Sequence, residues 1–443
     1  MTSNTLAQEL QGAAVPMSEL EKEYRPLLKL VEQLLGVIPN CDPLLEIWPT
    51  GFRSYNLIVP NLLNLPASLL GQGAPKDLVG LAMYAASRAA GCMYCSAHSC
   101  TFALRRGASP ETLTGEYTAE EAAVARVAEG IARVPADLTK ADITDLRKHL
   151  SDEDIEWVVN SVATMGFLNK FMDTMGVELE ESAINDVQDL ISSTGWSTGK
   201  HAWTAESMDF LDGEAEGKPL QPIANGHADE ATHDYTEVPT DNLGTYLKVI
   251  RQAPGSKRLE RKWTKGVAQR SGEALLQLED EFGSSYSTLA NLRHDRVVRA
   301  IATVIRDNLD PQTTTIGIGQ KCLIALVYAQ VVGNEALTAE AVQMAQRLAP
   351  EISHKTLTAI GRFAATDMAE TTVPPGLSQV QAAVVMLTKA AAPSPSEITQ
   401  LSIAIASQSL SAPQLVETVV WLSVQQLLHR LYVFYEVDEA GEY

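Results

Sequence analysis

The stretch Gly91-Cys92-Met93-Tyr94-Cys95-Ser96-Ala97-His98-Ser99-Cys100 holds three of the five cysteines in a chain of 443 residues. Two of them stand at C-x-x-C spacing, and a histidine follows the second by three positions. Residues three apart on a helix share a face, so Cys92 and Cys95 can close a disulfide while His98 comes round beside Cys95. A redox dithiol is the chemistry this pattern suits. His98 can take the thiol proton or orient a substrate, and Tyr94 and Ser99 add hydroxyls able to donate hydrogen bonds.

The segments on either side must position these groups. Asp77 to Ala90 reads as an apolar helix that pauses at Gly91, and Thr101 to Arg106 continues helical periodicity. Cys92 then falls in the first turn of a second helix. There the dipole and unpaired backbone N–H groups favour a thiolate, and C-x-x-C cysteines commonly have pKa values of roughly 3.5–7.5. Two other readings fit the same residues. One is the packing of small apolar side chains in a buried helix. The other is a zinc site of Cys92, Cys95, His98 and Cys100, although closed zinc sites usually take a second ligand pair from elsewhere and the chain has no second C-x-x-C and no H-x-x-x-H. The dithiol route needs neither metal nor cofactor.

From Leu78 to Gly107, with C-M-Y-C, then His98, then Ala103-Leu104-Arg105-Arg106-Gly107, the chain resembles the alkylhydroperoxidase D (AhpD)-like, or carboxymuconolactone decarboxylase, superfamily. The likeness runs upstream through Asn61 to Asp77 and downstream to Phe167-Leu168-Asn169-Lys170 and Met175-Gly176-Val177-Glu178, covering roughly the first 180 residues. The resemblance implies an all-α helical bundle that reduces hydroperoxides, with Cys95 as the attacking, peroxidatic thiolate and Cys92 as the resolving one. It also implies an external dithiol reductant of lipoyl or thioredoxin-like type, and a homo-oligomer, trimer or dimer. Two positions depart from the family pattern. The usual histidine, four residues after the second cysteine, is Ser99 here, with His98 one position early. The usual carboxylate, twelve residues before the first cysteine, falls on Gly80, and Asp77 is the nearest replacement. A decarboxylase-like lyase is the alternative from the superfamily's other branch, whose members generally do not depend on a C-x-x-C pair. A non-catalytic helical scaffold is the third reading.

A formal net charge of −21 repels phosphate backbones and anionic lipid, so neither nucleic acid nor a membrane is expected as a partner. Residues 1–16 lack a basic segment followed by an apolar core, and no apolar run reaches membrane-spanning length, so a cytoplasmic protein is expected. Five cysteines in so long a chain do not form a disulfide framework, and Cys41 and Cys322 read as inert packing residues.

The chain divides into a polar, disordered N-terminus (1–19), a C-x-x-C domain (20–195), an acidic linker (196–245) and a degenerate second copy (246–443), giving two tandem repeats. Strand signals are nearly absent. Helix starts are expected at Thr118/Glu121, Thr139/Asp142 and Ser151/Asp154. Ser378/Gln381 and Ser411/Gln414 repeat the first and last of these 260 residues later, with a further start at Ser394-Pro395-Ser396-Glu397. At an offset of 242, Leu323 to Gly333 parallels Leu81 to Gly91, and Cys92, Cys95 and His98 fall on Asn334, Leu337 and Glu340. Coincidence among Ala-rich helices is the competing explanation. Glu206 to Asp241 contains ten acids and one lysine and reads as a surface loop, with His227 and His233 as a weak alternative metal pair. The cluster Lys257, Arg258, Arg261, Lys262 and Lys265 reads as a solvated helix face.

Overall fold

The computed structural model describes residues 5–202, 238–368 and 371–440. The fold is all-α, with no strand among the described residues. Most of the acidic stretch, with His227 and His233, lies outside them.

Local capping chemistry sets the helix starts. Thr118, Thr139 and Ser378 close reciprocal capping boxes with Glu121, Asp142 and Gln381, and Ser151 accepts the Asp154 N–H before the Asp152–Met175 helix. Ser411 and Gln414 begin the Ala412–Glu439 helix in the same way. Each such cap satisfies N–H groups that the helix itself leaves orphaned, a contribution of about 1 kcal/mol. The expected start at Ser394 does not occur. Ser394–Pro395 is a cis peptide inside a turn, and the next helix runs Gln400–Ser409 with Thr399 as its cap. The same turn occurs 260 residues earlier at Val134–Pro135, also cis.

The Asp152–Met175 and Ala412–Glu439 helices pack together along their length and are buried on nearly every face. Gly166 allows the close crossing, since a Cβ there would lie 2.9 Å from the Gln426 carbonyl oxygen. Beside them, Pro49–Leu62 packs on Asp295–Asn308, where the Asn308 amide donates to Ser54 Oγ at 3.0 Å. Both contacts join the first half of the chain to the second, and one continuous core results. Each large apolar side chain moved from water into it contributes roughly 1.5–3 kcal/mol.

Two expected boundaries shift. The N-terminal segment is ordered from Thr5: Leu6–Leu10 is a capped helix whose Leu6, Ala7 and Leu10 are buried, and Thr5 packs on Gly176. Three apolar residues on one helix face outweigh the polar composition around them. Residues 196–202 also belong to the first half, through a buried Trp196 and the Gly199–His201 turn. Beyond the acidic stretch, Asp241 pairs with Arg105 and Arg106 at 3.2 and 3.4 Å, and the Leu243–Trp263 helix packs on Met17–Leu35. The chain thus returns to the first half before it builds the second. The basic cluster lies exposed on and just after that returning helix.

Candidate active site

The Lys76–Ala89 helix ends at Gly91, whose φ of 68° is a left-handed turn that an L side chain rarely adopts. The chain then reverses into Met93–Arg105 with Cys92 as the N-cap, and the Cys95 N–H donates to Cys92 Sγ at 3.3 Å. The two helices lie close because Gly80 faces Ala103, where a Cβ would come within 2.7 Å of the Ala103 Cα. No carboxylate fits at Gly80. Asp77 lies one turn further from the cysteines and does not line the Cys95 cavity, so the structure does not bring it to the site.

The carboxylate at the site is Glu180, which sequence reasoning missed. Its Oε2 lies 2.7 Å from His98 Nε2, and its Oε1 accepts the Tyr94 hydroxyl at 2.9 Å and the Asn40 backbone N–H. Three further bonds hold the extended segment that carries it. Asn40 Nδ2 donates to the Glu178 carbonyl, Leu179 N–H donates to the His201 carbonyl, and His201 Nδ1 lies 2.7 Å from the Val177 carbonyl. Burial alone would raise the Glu180 carboxyl, yet the His98 charge and the bonds from His98 and Asn40 hold it below the usual range. Glu180 is thus an ionised acceptor that fixes the imidazole. The only signal in the sequence was the acid-rich run Glu178-Leu179-Glu180-Glu181 just after Gly176.

Cys95, His98, Tyr94 and Ser99 line a cavity of about 50 Å³, whose remaining wall includes Tyr55, Met83, Phe102, Met165 and Met172. That volume takes a few water-sized groups, each needing about 10–15 Å³. Cys92 and Cys95 are 0% and 3% exposed. Burial pushes the Cys95 thiol well up, and the hydrogen bond and charge of Cys92 add to it, while the Asn169 side chain works the other way. Cys95 therefore rests as a thiol and needs a base. Ser99 spends its hydroxyl on the Cys95 and Ser96 carbonyls, and Tyr94 spends its own on Glu180. Cys100 is buried, and burial raises its thiol.

No group of three or more His, Cys, Asp or Glu side chains converges in metal-binding geometry among the described residues. A larger open groove, about 660 Å³, lies at Gln330, Asn334 and Thr338 in the second half, but it holds no thiol or imidazole. Chemistry, not volume, marks the site. In the second half Asn334 caps Glu335–Leu348 and accepts the Leu337 N–H at 2.8 Å, the place Cys92 takes toward Cys95. Glu340, at the His98 position, accepts the Tyr432 hydroxyl and the Ser287 N–H.

No protein-family model and no curated protein matches the chain. Two solved structures do. The apo debrominase Bmp8 is 22% identical with a TM-score of 0.35, over 38% of this chain and 92% of that one. A cysteine-to-alanine variant of Bmp8 in complex with 2,3,4-tribromopyrrole is 21% identical with a TM-score of 0.36, over 40% and 95%. A likeness of this size carries no argument about fold or chemistry.

Proposed function

We propose that the protein is an AhpD-like thiol peroxidase, a tandem duplication with one dithiol per chain, that reduces hydroperoxides and is restored by an external dithiol. The observation behind this reading is a C-x-x-C thiol, Cys95, sharing a small apolar cavity with a histidine whose other side is held by an ionised carboxylate. With Nε2–H donated to Glu180, the Nδ1 lone pair of His98 is left to take the Cys95 proton. The thiolate attacks a peroxide oxygen, an S–O bond forms as the O–O bond breaks, and the departing alkoxide takes the proton from His98. Cys92 then attacks the sulfenic sulfur, and its proton leaves with the hydroxyl as water. A lipoyl or thioredoxin-like dithiol reduces the resulting disulfide.

The cavity's size favours hydrogen peroxide or a short alkyl hydroperoxide over a bulky one. No described helix is long and apolar enough to cross a membrane. The cytoplasm, where a C-x-x-C pair works as a reversible dithiol, is the proposed location. A homo-oligomer is also part of the proposal: Leu243, Leu247 and Ile250 follow one helix face and are 72%, 59% and 48% exposed. The test is peroxide consumption by wild type and Cys95→Ser with a panel of dithiol donors, lipoyl and thioredoxin-like among them. Equal rates would remove the peroxidase reading.

A further inference from the structure

The Ala412–Glu439 helix of the second half carries Arg430 into the centre of the molecule, where it is fully buried. Its Nη1 donates to the Val162 carbonyl at 2.9 Å and its Nη2 to Asn169 Oδ1 at 3.0 Å, while its Nε–H has no partner. No carboxylate pairs with it among the described residues. A guanidinium shut away from water without an anion is costly, because the desolvation of its charge goes uncompensated. The groups beside it that could carry a negative charge are Tyr328 of the second half and then Cys95 and Cys92 on the cysteine helix. Of these, only the cysteines sit at the reactive site.

The bond to Asn169 adds direction. A guanidinium offers donors only, so it fixes the Asn169 oxygen toward itself and turns the amide N–H₂ the other way. That amide nitrogen donates to Ser87 Oγ at 3.2 Å, and the Ser87 carbonyl in turn accepts the Cys92 N–H at 3.1 Å, so the amide sits on the turn that presents the cysteines. The Asn169 side chain also favours the charged form of Cys95. Burial lowers Arg430 only to about 10, so it remains a cation at neutral pH. The other titratable groups facing Arg430 and Cys95 are Lys170 and Asp173 on the first-half long helix and His429 beside Arg430 on its own helix.

We propose that Arg430 is a positioning residue contributed by the second half, which holds the Asn169 amide against the Ser87–Cys92 turn and supplies the buried positive charge that the Cys95 thiolate needs. The first half alone then lacks part of its own site, even though the second half has lost the cysteines and the histidine. The proposal rests on the reading of Cys95 as the attacking thiol.

The test is the pH dependence of Cys95 alkylation by iodoacetamide in the full chain, followed on the Cys95 peptide by mass spectrometry. Arg430→Gln is expected to raise the apparent pKa of Cys95 by about one unit or more, which is about tenfold slower alkylation at neutral pH. Arg430→Lys, which keeps the cation, should stay within about twofold of wild type. Should Arg430→Gln fail to fold, Asn169→Ala decides, and the same upward shift is expected. A folded Arg430→Gln, or in its absence Asn169→Ala, with the wild-type pH profile overturns the proposal. Because alkylation needs no peroxide, a shifted profile in a protein that consumes no peroxide would sink the peroxidase reading and leave this one standing.

Discussion

His98 Nε2 and Glu180 Oε2 lie 2.7 Å apart across a sequence separation of 82 residues. The pair replaces the expected relay through Asp77 with one drawn from a different element, and it makes a paired prediction. Glu180→Gln should slow peroxide consumption roughly 10²-fold, as should His98→Ala, since either change removes the oriented base. The double variant should be little worse than either single one, because the two groups act as a unit. Additive losses would show that Glu180 works independently of the imidazole.

Mild oxidation should join Cys92 to Cys95 and leave Cys100 reduced. Cys92 Sγ already accepts the Cys95 N–H, so the two sulfurs share one helix turn, whereas Cys100 lies five residues beyond Cys95, off that face of the helix. In Cys92→Ser the sulfenic acid on Cys95 has no resolving thiol and should be trapped by dimedone. Peptide mapping that finds Cys95 linked to Cys100 contradicts the assignment.

Gly91 holds the reversal that presents Cys92, and a Cβ there would lie 2.9 Å from Pro395 of the second half. Gly91→Ala should therefore cost about 1–3 kcal/mol in stability from the left-handed backbone alone, before the clash is relieved. Because relief pushes on the Cys92 N-cap, disulfide formation should slow as well. Chemical denaturation and the oxidation rate measure the two effects separately. A variant as stable as wild type would mean that this turn is not fixed as described.

The parts of this fold that could be read from sequence were those fixed locally. Thr118, Ser151 and Ser411 begin helices because an acid or amide three residues on completes each cap, and Cys92 is an N-cap because Gly91 breaks the preceding helix. Glu180 was legible only as one acid of a run, for the opposite reason. Its place depends on the Asn40 loop and the His201 carbonyl, neither of which is near it in sequence. Arg430 stands 260 residues after Lys170, at the same offset as the repeated helix starts. Nothing in the periodicity said that Lys170 would cap the carbonyls of Ala391 and Ala392 while Arg430 turned to Asn169. Composition likewise does not report the burial that raises the Cys95 thiol.

Asp42, two residues beyond Asn40, is fully buried with both carboxyl oxygens unpartnered. Burial, then the charges of Glu180 and Glu46, push its carboxyl up to about 8. The folded state thus holds a proton that the unfolded chain gives up near pH 4, and stability contributed by this group falls as pH rises from about 4 to about 8. Asp42→Asn keeps the shape without the titration. Its stability relative to wild type should climb across that window, with a slope of at most about 1.4 kcal/mol per pH unit. A pH-independent difference in urea midpoints would show that Asp42 is ionised in the fold.

Residues 1–202 expressed alone should not give a monomeric, fully reactive domain. The Asp152–Met175 helix is buried on nearly all sides only because Ala412–Glu439 lies along it, so the fragment would expose Val162, Gly166 and their neighbours to water. It would also lose the carbonyls of Ala391 and Ala392 that cap Lys170, and the Ser396 N–H that donates to Asp173 at 2.7 Å. Asp173 pairs with Lys200 at 2.8 Å, and Lys200 adjoins the His201 turn that holds the Glu180 segment. Loss of the second half therefore reaches the base as well as Arg430. The expected outcome is a fragment that self-associates and whose Cys95 alkylates at least tenfold more slowly at neutral pH, as the loss of one pKa unit of thiolate stabilisation requires. Sedimentation velocity and the alkylation rate read the two consequences. A soluble monomer with the wild-type rate would show that the first half completes both its fold and its site unaided.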